Sequence, residues 1–205
     1  MPAQRNSRKK GAKMADQGSE GLFSHFLRSQ RIKAARPFIK GKVLDVGCGT
    51  GALAGIIPAD SYVGVDIDEL SLAIARKQYP QHTFQSSLPP AESEFDTVIA
   101  LAVIEHVPDP DAFLCELAKR LLSGLDNFIV CTTPHPAVDW VHTAGARIGL
   151  FSRQANEEHE VLLGRNRLEG LAIECNLKLI VYRRFLLGAN QIAVFQRNAK
   201  KTLKY

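Results

Sequence analysis

Residues 42–57, KVLDVGCGTGALAGII, constrain the fold more than any other part of the chain. A short run of β-branched and aliphatic residues leads directly into Gly47, Gly49 and Gly51. Glycine is costly to order and has no side chain to pack, so three in five residues imply a backbone that must come close to something else. A strand that ends in such a loop and then enters a helix is the phosphate- and nucleoside-binding corner of a parallel sheet, because the loop and the helix start both offer free N–H groups. The sequence predicts a helix after this loop.

The rest of the chain has a compatible rhythm. Residues 22–39 carry Leu22, Phe23, Phe26 and Leu27 at helical spacing, with Pro37 at the end. YVGVDI from Tyr62 reads as a second strand. DELSLAIARKQY follows as a helix, with Asp68 as its cap and Leu70, Ala73, Ile74 and Lys77 on one face. HTFQSS is a weak third strand and FDTVIALAVI a strongly apolar fourth. DPDAFLCELAKRLL is a helix with acids first and bases last, which suits the helix dipole. NFIVCTT is the fifth strand, stopped by Pro134. After a helix over roughly residues 162–175, LKLIVYRRF and NQIAVFQR are joined by a connection short enough for an antiparallel hairpin. Alternating strand and helix argue for an α/β, doubly wound, Rossmann-like sheet. Seven strands are expected, mostly parallel, with a C-terminal antiparallel hairpin.

The 205 residues carry a net charge of +5. Arg5, Arg8, Lys9, Lys10 and Lys13 account for all of it, and Lys200, Lys201 and Lys204 add more, so residues 16–199 are acidic by three charges. A polyanion-binding domain carries its basic excess on the fold, and this pattern argues against nucleic acid as a partner. Residues 1–20 are expected to be a disordered basic tail, 21–199 one domain, and 200–205 a second basic tail. No apolar segment follows the N-terminal charges, and no run approaches the ~20 residues of a membrane span, so neither a secretory leader nor a transmembrane segment is expected. Cys48, Cys115, Cys131 and Cys175 are scattered and mostly sit in apolar runs. That distribution predicts free thiols in a reducing cytoplasm and no metal site.

Asp66 lies nineteen residues after Gly47, at the end of the second strand. A carboxylate there can accept hydrogen bonds from both hydroxyls of a ribose, so loop and acid together specify an adenosine-like ligand. A nicotinamide oxidoreductase uses the same logic. Its fingerprint, however, is G-x-G-x-x-G, whereas Gly51 here comes one position early.

At these residues the sequence resembles the class I S-adenosylmethionine-dependent methyltransferases. VLDVGCGTG matches their first motif, YVGVDID the second, and FDTVIALAVIEHVPDP the signature of the branch that acts on small molecules. The resemblance implies S-adenosyl-L-methionine as cofactor and an enzyme that methylates a small or lipid-like acceptor, with oxygen the favoured atom. A non-catalytic relative that binds the cofactor to regulate a partner shares the same motifs. The resemblance also implies roles for individual residues. Gly47, Cys48, Gly49 and Gly51 line the methionine and ribose, and Asp45 reaches the amino group. Asp66 holds the ribose and Ile67 packs on the adenine. Ser86 and Ser87 stand where many relatives place an adenine-binding Asp. Leu101 and His106 lie beside the reacting sulfonium.

Methyl transfer from a sulfonium is an in-line displacement, so alignment and exclusion of water do most of the work. Histidine is the natural base near neutral pH. His159, just before the last helix, is the catalytic candidate. His135 and Trp140, after the fifth strand, are the substrate-side candidates, and the segment between the fifth strand and the last helix, with Trp140, Leu150 and Phe151, is expected to cover an apolar acceptor.

Overall fold

The computed structural model describes residues 17–136 and 163–198, with side chains from residue 24 onward. Helix α1 (Gln17–Ala35) leads through a 3-10 turn to β1 (Val43–Val46) and β2 (Tyr62–Val65). Then come α2 (Glu69–Gln78), β3 (Thr83–Gln85), β4 (Thr97–Leu101), α3 (Pro110–Lys119) and β5 (Phe128–Pro134). Helix α4 (Arg165–Glu174), β6 (Leu177–Phe185) and β7 (Asn190–Arg197) complete the described chain. The seven strands form one sheet in the order β3-β2-β1-β4-β5-β7-β6. All pairings are parallel except β5 with β7 and β7 with β6. The expected fold class is therefore observed.

Side-chain alternation along β1 sets the two faces of the sheet. Leu44 and Val46 pack with Leu114, Leu117, Leu168 and Leu171 of α3 and α4. Val43 packs on the opposite face with Leu53, Tyr62, Leu72 and Phe84, against which Ile32 of α1 also rests. Asp45 shares that second face. Strand order reverses between β1 and β4, which opens a crevice beyond their carboxyl ends.

Three local expectations need correction. No α-helix follows the glycine loop. Residues 49–56 instead form successive tight turns, with Gly51 N–H donating to the Cys48 carbonyl, Ala54 to Gly51 and Ile56 to Leu53. Only Thr50–Ile57 separates the loop from Pro58, too little for a stable helix, and Gly55 weakens it further. On α2, the side chains in the core are Leu72 and Ala75, while Leu70 and Ile74 are exposed. Asp68 caps that helix as expected, accepting from Leu70 and Ser71 N–H. On α1, Phe26 is exposed and Ala35 is buried.

The cysteines give a fourth correction. Cys115 on α3 and Cys175 just beyond α4 form a disulfide, with Cα atoms 4.8 Å apart across a sequence separation of 60 residues. Their spacing gave no sign of this, because adjacency comes only from packing α3 beside α4. The bond removes the ground on which a reducing compartment was expected. Cys48 and Cys131 are free and buried. No described helix is long and apolar enough to cross a membrane.

Candidate functional site

The turn after β1 is built by backbone bonds. Gly47 and Cys48 N–H both donate to the Val65 carbonyl, at 2.8 and 3.0 Å, which folds the loop back over the end of β2. The glycines then serve different ends. A Cβ on Gly47 would lie 2.3 Å from Val103 Cγ2, so this position admits the turn after β4. A Cβ on Gly49 would meet nothing within 4 Å, so its backbone faces open space. A Cβ on Gly51 would press on the rings of Tyr79 and Phe84 at 3.1 Å, a packing role.

Beside this loop lies a cavity of about 200 Å³. It is lined by Asp45, Gly47, Cys48, Gly49, Ala52 and Leu53 on one side, Leu101 and Ala102 at the end of β4, and Ser24, Arg28, Arg31 and Ile32 of α1. Ala102 holds a left-handed backbone at φ 57°, strain of the kind found at functional sites. The four α1 residues follow helical spacing, so one face of α1 roofs the cavity. Arg31 Nε also donates to Asn190 Oδ1 at 3.2 Å, tying α1 to the start of β7. Arg28 and Arg31 were not singled out in the sequence. Their i,i+3 spacing was visible, but which element their face would meet was not.

The acids differ in environment. Asp45 is 3% exposed, and its Oδ2 accepts from the Tyr62 hydroxyl at 2.7 Å. Burial pushes its carboxyl up to about 7, the Tyr62 hydrogen bond opposes that, and the nearby Asp66 charge adds to it. Burial and the same two acids push the Cys48 thiol up to about 12, so it stays neutral. Asp66 accepts the Gly49 N–H on Oδ2 at 2.7 Å and the Asp68 N–H on Oδ1 at 2.9 Å. Ile67, next to it, is 93% exposed.

Ser86 and Ser87 are exposed just after β3, and His106 is exposed on the turn beyond β4; none of the three lines the cavity. His135 is buried at the end of β5, and its backbone N–H donates to the Ala189 carbonyl at 2.9 Å. Burial first, then the Arg184 charge, hold its imidazole below the ordinary histidine value. Trp140 and His159 lie outside the described residues.

A methyltransferase domain model matches residues 44–124, the span from β1 through α3. Those residues, less than half of the chain, carry its sequence likeness to a methyltransferase domain. Its curated relatives include a ubiquinone biosynthesis O-methyltransferase of Dinoroseobacter shibae, 33% identical over 112 residues, covering 50% of this chain and 44% of that protein. The protein of the same name from Pseudomonas aeruginosa is 38% identical over 106 residues, 46% of each chain. The chain thus matches about half the length of these relatives. Among solved structures, a magnesium protoporphyrin IX methyltransferase from Synechocystis with bound SAH aligns with a TM-score of 0.61. It is 19% identical, over 91% of this chain and 90% of that one. A Mesorhizobium loti S-adenosylmethionine-dependent methyltransferase aligns with a TM-score of 0.65 at 17% identity, over 83% and 100% of the two chains. These likenesses establish the fold.

The residues of the domain fit an S-adenosylmethionine-type ligand. The space beside Gly49 is open. The Asp66 carboxylate has two oxygens and about four acceptor sites; two take backbone N–H groups, which leaves room for ribose hydroxyls. The exposed Ile67 offers an apolar platform where adenine would extend. A volume of about 200 Å³ is smaller than a typical ligand pocket of ~300–1,000 Å³. It suits the amino-acid end of such a ligand, with the nucleoside lying across the open surface at Asp66 and Ile67.

Proposed function

We propose that this chain transfers a methyl group from S-adenosylmethionine to a small or lipid-like acceptor, at oxygen. The observation that carries the reading is the pairing of an open Gly49 backbone with the Asp66 carboxylate at the switch point of the sheet. S-adenosylmethionine supplies an activated methyl group when bound. The chain's own residues bind and orient. Asp66 would hold the ribose and Ile67 one face of the adenine, with Ser86 and Ser87 within the same loop region. Asp45, Gly47, Cys48 and Gly49 would contact the amino-acid end. Arg28 and Arg31 would face its carboxylate from α1, which also keeps water out. Leu101 would border the methyl group at the end of β4.

On the acceptor side, burial and Arg184 favour a neutral His135 imidazole, which can accept a hydrogen bond from a hydroxyl. Oxygen as the methylated atom is supported by the names of the curated relatives. The glycine spacing and the domain match favour this reading over hydride transfer with a nicotinamide. Incubation with methyl-labelled S-adenosylmethionine and a panel of hydroxylated aromatic and isoprenoid acceptors tests it. Label should appear on oxygen of at least one acceptor. Label on nitrogen or carbon alone would contradict the oxygen assignment, and no transfer to any acceptor would favour a cofactor-binding regulator.

A further inference from the structure

The Asp45 carboxylate reaches the cavity wall supported by the Tyr62 hydroxyl. Asp45 stands in register with Gly64 of β2. Tyr62, two residues earlier on the same face of β2, lies along the strand, and its hydroxyl meets Asp45 Oδ2 at 2.7 Å. Only glycine at position 64 permits this path, because a Cβ there would sit 2.9 Å from the Tyr62 hydroxyl and 2.8 Å from Phe84. The Tyr62 ring is 2% exposed, and the rings of His82 and Phe84 meet it edge-on at 5.5 and 5.7 Å. The hydroxyl is therefore fixed in direction before any ligand arrives.

We infer that Tyr62 is a positioning residue for the cationic end of the cofactor: it holds Asp45 at the cavity wall, and cofactor binding releases a proton from the Asp45 carboxyl to solvent. The inference rests on the S-adenosylmethionine reading of the site. A buried carboxyl without a cation beside it is driven toward its neutral form. The groups around Asp45 leave that tendency in place. Tyr62 donates one hydrogen bond from β2, the Cys48 thiol is neutral, and Asp66 adds negative charge. β4 presents Ile99 in register and the apolar Leu101 and Ala102. The cations near the cavity are Arg28 and Arg31 on α1, which would face the carboxylate of the ligand. When an ammonium group comes to Asp45, the ionised form is favoured, and its proton leaves to buffer. The raised value of about 7 places this exchange near neutral pH.

Titration calorimetry with S-adenosylmethionine, in phosphate and in Tris from pH 5.5 to 9, reads the proton directly. The α-amino group of the ligand titrates near 8, so the difference between wild type and Asp45→Asn is the measured quantity. Wild type should release roughly half a proton more than Asp45→Asn at pH 7 and should lose affinity toward tenfold per pH unit below about 6. Asp45→Asn should lose that acid-side dependence. Tyr62→Phe should shift the midpoint up by about one pH unit, because the hydrogen bond to the charged form is gone, and its affinity should approach that of wild type by pH 9. Wild type binding with unchanged affinity from pH 5.5 to 8, or Tyr62→Phe with the wild-type midpoint, would overturn this inference alone. Absence of S-adenosylmethionine binding at every pH would overturn the reading of the site with it.

Discussion

The Asp66 carboxylate accepts the Gly49 N–H at 2.7 Å, so the acid at the end of β2 fixes the glycine loop at the end of β1. Its other oxygen takes the Asp68 N–H, which links the loop to the cap of α2. One side chain thus shapes the loop and, on the proposed reading, would present acceptors to a ribose.

Asp66→Ala is therefore expected to lower cofactor affinity by more than the loss of ribose contacts. Each hydrogen bond to a charged acceptor is worth about 1.5–3 kcal/mol, and the Gly49 bond is lost as well. Asp66→Asn retains one oxygen and should fall between. Calorimetric affinities that are equal for wild type and Asp66→Ala would remove this residue from the site.

Gly49 and Gly47 should respond oppositely to substitution. Both have positive φ, 52° and 74°, so either change costs about 1–2 kcal/mol in backbone strain. Gly49→Val adds its side chain to open space, so the protein should fold and lose cofactor binding. Gly47→Ala drives a methyl into Val103 and should lower the melting temperature more than Gly49→Val does. Melting and binding curves on the two variants check both parts. A Gly49→Val protein that binds normally would misplace the ligand.

Much of this architecture was legible before the structure because it depends on local signals. The cap at Asp68, the acids at the start of α3, the apolar runs of β1, β4 and β5, and the glycine-to-Asp66 spacing each lie within one element or one strand–loop–strand unit. What escaped was set by packing between distant elements. The buried face of α2 is Leu72 and Ala75 because β2 and β3 lie on that side, although Leu70 and Ile74 form an equally plausible apolar stripe. Arg28 and Arg31 enter the cavity because α1 folds back over the carboxyl edge, which no local pattern encodes. The Cys115–Cys175 bond follows from α3 lying beside α4.

That disulfide should matter to stability. Reducing it, or replacing Cys115 by Ser, is expected to cost about 2–4 kcal/mol, since it closes a long loop in the unfolded chain. Thermal melts with and without a thiol reductant measure this. Identical melting temperatures, with the thiols shown free by mass after alkylation, would mean that the bond contributes nothing.

The Asp45 carboxyl should also make the ligand-free protein sensitive to pH. Its value rises from 3.8 to about 7 on folding, so the folded state binds the extra proton. The stabilisation is complete below about 4 and is lost as pH rises through about 7. Asp45→Asn should therefore melt like wild type at pH 4 and be more stable at pH 8, by about 2–4 kcal/mol. Parallel pH profiles for the two proteins would contradict the burial argument.

The most direct test of the account is titration of the purified chain with S-adenosylmethionine, S-adenosylhomocysteine and NAD. Saturable binding of both adenosyl ligands, one per chain, is predicted, with no heat from NAD and with binding abolished in Gly49→Val. Binding of NAD without either adenosyl ligand, or full adenosyl affinity in a folded Gly49→Val protein, would contradict it.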